Sequence, residues 1–221
     1  MKGRFITFEG PEGSGKSTQV KLLIERLTGS GIRVLPTREP GGTRTGEVIR
    51  NLLQHDLAQE PMCPATEVLL FAASRAQLVA CSLAPALAEG QWVVCDRFMD
   101  STTAYQGYGR GFDVERMVEI SRFAVGDTVP DRTILLDLEV DASLKRMQAR
   151  NAQRQQGQDR FERETRDFHE RIRNGYLQLA QRWPERIRVI KSDRPVATVH
   201  GDVWAALADL VPAVPGAGAA E

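Results

Sequence analysis

The residues Gly10 to Ser17 have the types and spacing that bind nucleotide phosphates. They follow the pattern G-x-x-x-x-G-K-S and come directly behind the short apolar run 5–8. In such a loop, glycines let backbone N–H groups turn toward an anion, Lys16 reaches the β- and γ-phosphates, and the Ser17 hydroxyl binds Mg²⁺. The predicted phosphate-binding segment comprises Gly10, Pro11, Glu12, Gly13, Ser14, Gly15, Lys16, Ser17 and Thr18.

Charged side chains follow two further apolar runs. Arg38 and Glu39 are held by a Pro-Gly-Gly turn, which can bring a cation and backbone groups to a second anion. The alternative is a surface turn with solvated charges. Asp96 comes directly after the apolar run 92–95. Phosphate-loop proteins place an acid at this position to hold the Mg²⁺ shell. The alternative is an Asp that caps a helix. Arg97 follows Asp96 into the same predicted cleft.

A polar segment next along the chain could bind a sugar and a base. It supplies hydroxyls, an aromatic ring and an amide over roughly two helical turns, on Ser101, Thr102, Tyr105 and Gln106.

Phe71 and Arg75 are four residues apart and therefore share one face of a predicted helix. One interpretation is an aromatic platform for a base, with the guanidinium bonding the base edge. The pattern alone favours the other interpretation, a core Phe and an exposed Arg.

The segment of about 148–163 is polar, interrupted by Gly157 and rich in arginine. It could be a solvated linker. Phosphoryl transfer, however, needs positive charge on the moving group and exclusion of water, and a lid that carries arginines supplies both. Three arginines of this segment are candidates for that charge: Arg150, Arg154 and Arg160.

The elements that position these residues alternate between short apolar runs and longer helical patterns. This alternation predicts an α/β fold, a doubly wound five-stranded parallel sheet flanked by helices, with ligands beyond the carboxyl ends of the strands. The predicted strands are Arg4–Glu9, Arg33–Pro36, Trp92–Asp96, Arg132–Asp137 and Arg188–Lys191. The predicted helices are Ser17–Leu27, Gly46–Gln54, Thr66–Glu89, Val114–Phe123, Ala142–Arg150, Arg163–Trp183 and Val196–Leu210.

Composition limits the remaining possibilities. The 221 residues, 42% of them hydrophobic, predict one domain over 1–211 followed by a flexible tail, 212–221. Lys+Arg and Asp+Glu both total 29, so no global field attracts nucleic acid or an acidic membrane. Cys63, Cys81 and Cys95 have no metal or disulfide spacing and are predicted to be buried thiols. The N-terminal residues do not resemble a signal peptide, and the run 68–73 is too short to cross a bilayer, so we expect a cytoplasmic protein.

Together these segments resemble the bacterial thymidylate kinases, in order, from about residue 3 to 210. The matching segments are 9–18, 37–43, 96–98, Ser101, 104–107 and 159–162. The resemblance implies a phosphate-loop nucleoside monophosphate kinase fold, transfer of phosphate from ATP to dTMP with Mg²⁺ held by Ser17 and Asp96, and a cytoplasmic homodimer.

The resemblance also implies residue roles. Glu12 would lie near the sugar 3′-hydroxyl and the reacting phosphates, and Arg38 and Arg97 would bind the dTMP phosphate. Phe71 would stack on thymine and Arg75 would bond its edge, while Tyr105 would crowd the position of a ribose 2′-hydroxyl.

Two departures affect the choice of catalytic arginine. The phosphate loop has Ser14 where some eukaryotic members carry an arginine, which favours the bacterial type with lid arginines. The lid is longer than usual because of residues 155–158; we favour Arg154, with Arg160 next.

The rival functions are another phosphate-loop kinase of small molecules and a non-catalytic nucleotide-binding module; a GTPase is disfavoured because N-K-x-D does not occur.

Overall fold

The computed structural model describes residues 3–55, 57, 59–154 and 160–211, with the backbone alone at 153 and 154. The predicted tail, 212–221, and the central part of the predicted lid, 155–159, lie outside the described residues, as does the side chain of Arg154.

Five parallel strands form one sheet in the order β2-β3-β1-β4-β5. The strands are β1 (Phe5–Glu9), β2 (Val34–Arg38), β3 (Trp92–Asp96), β4 (Arg132–Asp137) and β5 (Ile187–Lys191). The predicted fold class is confirmed. The register places Phe8 beside Asp96 and Arg38 beside Asp96, so three strands end together at one edge. The second strand begins and ends later than predicted, and Arg38 is its last residue.

Helices cover both faces of this sheet. They are α1 (Lys16–Gly29), α2 (Arg44–Gln54), α3 (Pro64–Leu78), α4 (Ala84–Ala88), α5 (Met99–Thr102), α6 (Val114–Val125), α7 (Val140–Arg154), α8 (Arg166–Arg182) and α9 (Val196–Ala205). Two π-helical turns, Val79–Leu83 and Thr103–Gly109, join α3 to α4 and extend α5. The single helix predicted for 66–89 is thus three consecutive helical segments, and the helical segment 99–109 was predicted only as two turns.

The core follows from the alternation of side chains along each strand. On one face Ile6 and Phe8 pack with Leu23 and Leu27 of α1 and with Val203 of α9. On the other face Phe5, Val93 and Cys95 pack with Leu78 and Leu83. Both faces are therefore covered, which explains why the central strands are almost continuously apolar.

Two features of the helical layer differ from the sequence predictions. Cys95 is buried, but Cys63 and Cys81 are exposed, so the prediction of three buried thiols is wrong for two of them. The helical stretch Pro64–Ala88 is long and apolar enough to cross a membrane by length and composition. This is weak evidence for a span, because core helices pass the same test, and Arg75 within it is buried in an ion pair with Glu39.

Candidate active site

The phosphate loop lies between β1 and α1, at the edge where three strands end. Gly10 and Gly13 have φ angles of 136° and 70°, which L side chains rarely adopt. A Cβ atom on Gly10 would also lie 2.4 Å from the carbonyl oxygen of Leu136. The two glycines are therefore required by the backbone path that turns the loop over the end of the sheet.

The ammonium group of Lys16 lies against this loop. It donates to the carbonyl oxygens of Gly10, at 3.1 Å, and Pro11, at 2.8 Å. Burial, reinforced by the charge of Arg97, lowers the pKa of Lys16 to about 8. The ammonium group also donates to the Ser14 hydroxyl at 3.5 Å. A buried cation whose loop hydrogen-bond partners are all neutral is suited to a stronger anionic ligand such as a phosphate.

Ser17 and Asp96, the predicted metal ligands, are brought together. The Ser17 hydroxyl donates to Asp96 Oδ2 at 2.9 Å. Within the described residues no group of three His, Cys, Asp or Glu side chains could hold a metal ion. One hydroxyl and one carboxylate fit Mg²⁺, which is usually bound through one or two carboxylates plus substrate phosphates and several waters.

Arg97 lies at the centre of the cleft and is held by four side chains. Its φ angle of 67° is in the left-handed region, unusual for a residue other than glycine. Its Nη2 donates to Glu12 Oε1 at 2.5 Å and to the Tyr105 hydroxyl at 3.0 Å. Its Nη1 donates to the hydroxyls of Ser101, at 3.3 Å, and Tyr176, at 3.1 Å.

Glu12 is kept ionised by this arrangement. Burial alone would raise its pKa, but the charges of Arg97 and Lys16 and the hydrogen bond from Tyr105 lower it to about 2. Glu12 is therefore a permanent acceptor at neutral pH, between the phosphate loop and the guanidinium of Arg97.

Arg38 reaches the same cleft from the end of β2. Its Nη2 donates to both carboxylate oxygens of Glu47, at 2.9 and 3.0 Å, and its side chain is half exposed. Because an exposed ion pair of this kind is weak, an anionic ligand can compete for the guanidinium.

Phe71 and Arg75 occupy different environments although they share a helix face. Phe71 lines the cleft, and its ring centroid lies 5.9 Å from that of Phe161. Arg75 is fully buried and donates two hydrogen bonds to Glu39, at 2.6 and 2.8 Å, and one to Thr102 at 2.5 Å. The alternative of an exposed Arg75 is wrong, and its contact with a base edge stays a prediction.

The remaining predicted residues of the sugar and base site line the cleft. Tyr105 donates from its hydroxyl to Glu12 at 3.1 Å, and Gln106 donates to the buried carboxylate of Glu67 at 3.0 Å. Ser101 and Thr102 lie on the same helical segment. The cleft that they line measures about 880 Å³, which is within the usual range of ligand-binding pockets.

The two candidate lid arginines whose side chains the structure describes lie in different places. Arg150 lines the cleft and pairs with Glu162. Arg160 points elsewhere: it donates to Glu67 at 3.0 Å and to the carbonyl oxygen of Leu53 at 3.3 Å.

Sequence reasoning missed four residues of the site. Arg146 donates to the carbonyl oxygens of Gly13, at 3.2 Å, and Ser192, at 3.3 Å. Its spacing of four from Arg150 on a predicted helix was a usable signal. Phe161 and Arg163 lie in the predicted lid segment 148–163 without having been assigned a role, and both line the cleft. Tyr176 carried no signal in the sequence, because it reaches Arg97 from 79 residues away.

Comparison with known proteins agrees with this geometry. The family model described as thymidylate kinase matches residues 8–203. The chain belongs to the thymidylate kinase family. A thymidylate kinase of Pelotomaculum thermopropionicum is 49% identical over 213 residues, which are 96% of each chain. A thymidylate kinase of Ectopseudomonas mendocina is 47% identical over 98% of this chain and 100% of its own length.

A solved structure supports the same family. The thymidylate kinase of Ehrlichia chaffeensis superposes with a TM-score of 0.73 at 34% identity, covering 94% of this chain and 99% of its own. The resemblance inferred from the sequence is thus confirmed, and the phosphate loop, Asp96 and Arg97 lie within the part that matches the thymidylate kinase family model.

Proposed function

We propose that this cleft phosphorylates dTMP to dTDP with ATP, the activity of its family, through the residues assigned below. The observation that carries the assignment is the convergence of Lys16, the Ser17–Asp96 pair and Arg97 at one edge of the sheet. Phosphoryl transfer needs little covalent chemistry from the protein, so catalysis depends on positioning and on positive charge around the moving group.

The donor half of the cleft is the phosphate loop. Backbone N–H groups of residues 10–18, except Pro11, which has none, bind the ATP phosphates. Lys16 exchanges its loop carbonyls for the β- and γ-phosphate oxygens. Ser17 and Asp96 would hold Mg²⁺, which supplies positive charge against the phosphates when bound. Mg²⁺ fits because both side chains offer oxygen ligands 2.9 Å apart.

The acceptor half binds dTMP. Arg38 and Arg97 bind its phosphate, Phe71 stacks on thymine, and Arg75 bonds the edge of the base. Ser101, Thr102 and Gln106 provide polar contacts for the nucleoside. Tyr105 is held between Arg97 and Glu12, in a place where it would exclude a ribose 2′-hydroxyl.

Glu12 lies between the two halves. Its ionised carboxylate accepts from Arg97 and Tyr105, and it borders the phosphate loop. We assign it to the sugar 3′-hydroxyl and to holding Arg97 beside the reacting phosphates.

The positive charge on the transferred phosphoryl comes from a lid arginine. Arg154 is the first candidate and Arg160 the second, and Arg160 would have to leave Glu67 to act. Alanine variants of Arg150, Arg154 and Arg160 should be compared at saturating ATP and dTMP, because a contact completed only in the transition state lowers kcat far more than binding. If none loses more than about tenfold in kcat, the charge comes from outside the lid.

Assembly and location follow the family. We infer a single catalytic domain over residues 1–211 in a cytoplasmic homodimer. The dimer is supported by exposed apolar side chains on two helices that contact each other, Leu69 on α3 at 62% exposure and Phe123 on α6 at 91%. Phe123→Asp should shift the sedimentation coefficient to that of a monomer if this face is the interface.

Substrate preference tests the function directly. ADP release with ATP and each of dTMP, dUMP, dCMP and AMP should be highest with dTMP, with dUMP about 10- to 200-fold weaker because one methyl group is lost. Equal rates with dCMP or AMP would indicate another small-molecule kinase, and no release with any acceptor would indicate a non-catalytic module.

A further inference from the structure

The carboxylate of Glu9 is fully buried at the end of β1, immediately before the phosphate loop. It accepts four hydrogen bonds. Oε1 accepts from the backbone N–H groups of Phe98, at 2.8 Å, and Ser101, at 3.2 Å. Oε2 accepts from the hydroxyls of Ser101, at 2.6 Å, and Tyr176, at 2.8 Å. None of the roles assigned above uses this group.

The two backbone bonds hold the turn that carries Arg97. Arg97 has a positive φ angle, and Phe98, which follows it, is the N-cap of α5. A phenylalanine ring cannot accept the backbone hydrogen bonds that open a helix. The N–H of Ser101 also donates to the carbonyl oxygen of Phe98 at 3.1 Å, so the N–H of Phe98 is the group that depends on an acceptor from elsewhere. Glu9 provides it from the neighbouring strand. The unusual backbone of Arg97 is thereby held on its carboxyl-terminal side.

The two hydrogen bonds from hydroxyl groups to Glu9 determine which way those hydroxyls present their lone pairs to Arg97. An ionised carboxylate can only accept, and a hydroxyl has one proton and two lone pairs. The hydroxyl oxygens of Ser101 and Tyr176 also lie 2.9 Å from each other, but only one proton could be used between them. With their protons directed at the charged carboxylate of Glu9, both present lone pairs to Arg97, whose Nη1 donates to them at 3.3 and 3.1 Å. A donor in place of the carboxylate would reverse these hydroxyls and put their protons opposite the guanidinium.

We propose that Glu9 is a positioning residue which, through Ser101 and Tyr176, holds the Arg97 guanidinium in the orientation that receives the dTMP phosphate. This inference rests on the proposed role of Arg97 as a ligand of that phosphate. Glu9 itself touches neither nucleotide in this assignment. Its effect reaches dTMP through Arg97 and through Ser101, which is also assigned to the nucleoside.

The test compares the KM for dTMP with the KM for ATP in Glu9→Gln, Tyr176→Phe and the double variant. Burial, with Asp100 adding to it, raises the pKa of Glu9 to about 7, so the assays are run at pH 8, where the group is mostly ionised. Each single variant should raise the KM for dTMP about tenfold, as expected for misdirected bonds to a charged group, and leave the KM for ATP within about twofold. The double variant should be no worse than the stronger single one, because both changes break one network.

Two matched controls distinguish positioning from stability. Asp100→Asn alters a neighbouring buried carboxylate that pairs with Arg186. Tyr108→Phe removes the hydroxyl of a tyrosine packed on Gly175, next to Tyr176 in sequence. Both controls should leave the ratio of the two KM values unchanged even if the melting temperature falls.

Arg97→Ala separates the proposed role of Arg97 from the inference on Glu9. If it leaves the KM for dTMP unchanged, the assigned role of Arg97 is wrong. If it raises that KM while Tyr176→Phe and Glu9→Gln do not, the inference on Glu9 alone is overturned. Equal rises in both KM values in Glu9→Gln would also overturn it, and should that variant not fold, Tyr176→Phe decides.

Discussion

The two halves of the cleft are built in different ways. The phosphate loop is one continuous segment, in which backbone groups and Lys16 form the binding surface. The pocket around Arg97 is assembled from side chains of β1, the phosphate loop, the helical segment 99–109 and α8. In the loop, function can be altered without removing a core contact. In the pocket, the groups that bind the acceptor also hold the fold together.

Two carboxylates three residues apart show the consequence of this difference. Burial next to Asp100 raises the pKa of Glu9 to about 7. Glu12 is also removed from water, yet Arg97 and Lys16 lower its pKa to about 2. The same side chain therefore titrates on opposite sides of its ordinary value, because burial prevails at Glu9 and the nearby cations prevail at Glu12.

The largest effect is expected at Lys16. Lys16→Ala should lower kcat by about 10³-fold or more, because it removes a charge aimed at the transferring phosphates. Its melting temperature should stay constant or rise, since burial lowers the pKa of Lys16 to about 8 and the ammonium is costly to bury. Lys21→Ala, on an exposed part of the same helix, is the control and should leave both quantities unchanged. Near-normal turnover of Lys16→Ala would remove the assignment of the donor half.

Substitutions in the pocket around Arg97 should lower the stability of the fold. Arg75→Ala leaves the buried Glu39 carboxylate without its cation, which costs about 3–5 kcal/mol of unfolding free energy. Arg166→Ala breaks an exposed pair with Asp141 and should cost no more than about 1 kcal/mol. Urea unfolding of both variants measures the contrast; comparable losses would mean that the buried pair contributes no more than a surface one.

The pH dependence of stability should have opposite signs for the two glutamates. The folded-state pKa of Glu9 is above its unfolded value of 4.5, so its contribution is complete below pH 4.5 and is lost as pH rises through about 7. The unfolding free energy of the wild type relative to Glu9→Gln should fall by about 3 kcal/mol between pH 4 and 8.

For Glu12 the folded-state pKa is lowered, so its contribution is present above pH 4.5 and is lost as pH falls through about 2. The wild type relative to Glu12→Gln should therefore lose stability on acidification. If the difference in unfolding free energy between the wild type and either variant does not change with pH, the environment described for that glutamate is wrong.

The smallest effect is expected at Phe71. Phe71→Ala should raise the KM for dTMP about tenfold, because stacking on a base is worth about 1–3 kcal/mol. Phe71 also packs near Phe161, so the melting temperature must be measured beside the kinetics. Val48→Ala, at an exposed apolar side chain of α2 outside the cleft, is the control. A fall in stability with an unchanged KM would assign Phe71 to the core.

The sequence was sufficient for features that depend on near neighbours. The loop Gly10–Ser17 follows from its own spacing, and the apolar runs predict the five parallel strands, because burial on both faces requires continuous apolar residues. Element ends were less accurate. Helix α2 begins at Arg44, two residues before the predicted start, because Thr43 caps it through a bond from Gly46.

Only the tertiary structure decided which side chains meet. Glu9 and Tyr176 are 167 residues apart, and Arg75 and Glu39 are 36 apart, so local spacing carries no information on either pair. The same holds for Arg160, whose guanidinium could bind a phosphate but donates to Glu67. A motif whose ligand is bound by its own backbone can be identified from the sequence, whereas a site made of distant side chains exists only after the sheet has brought its strand ends together.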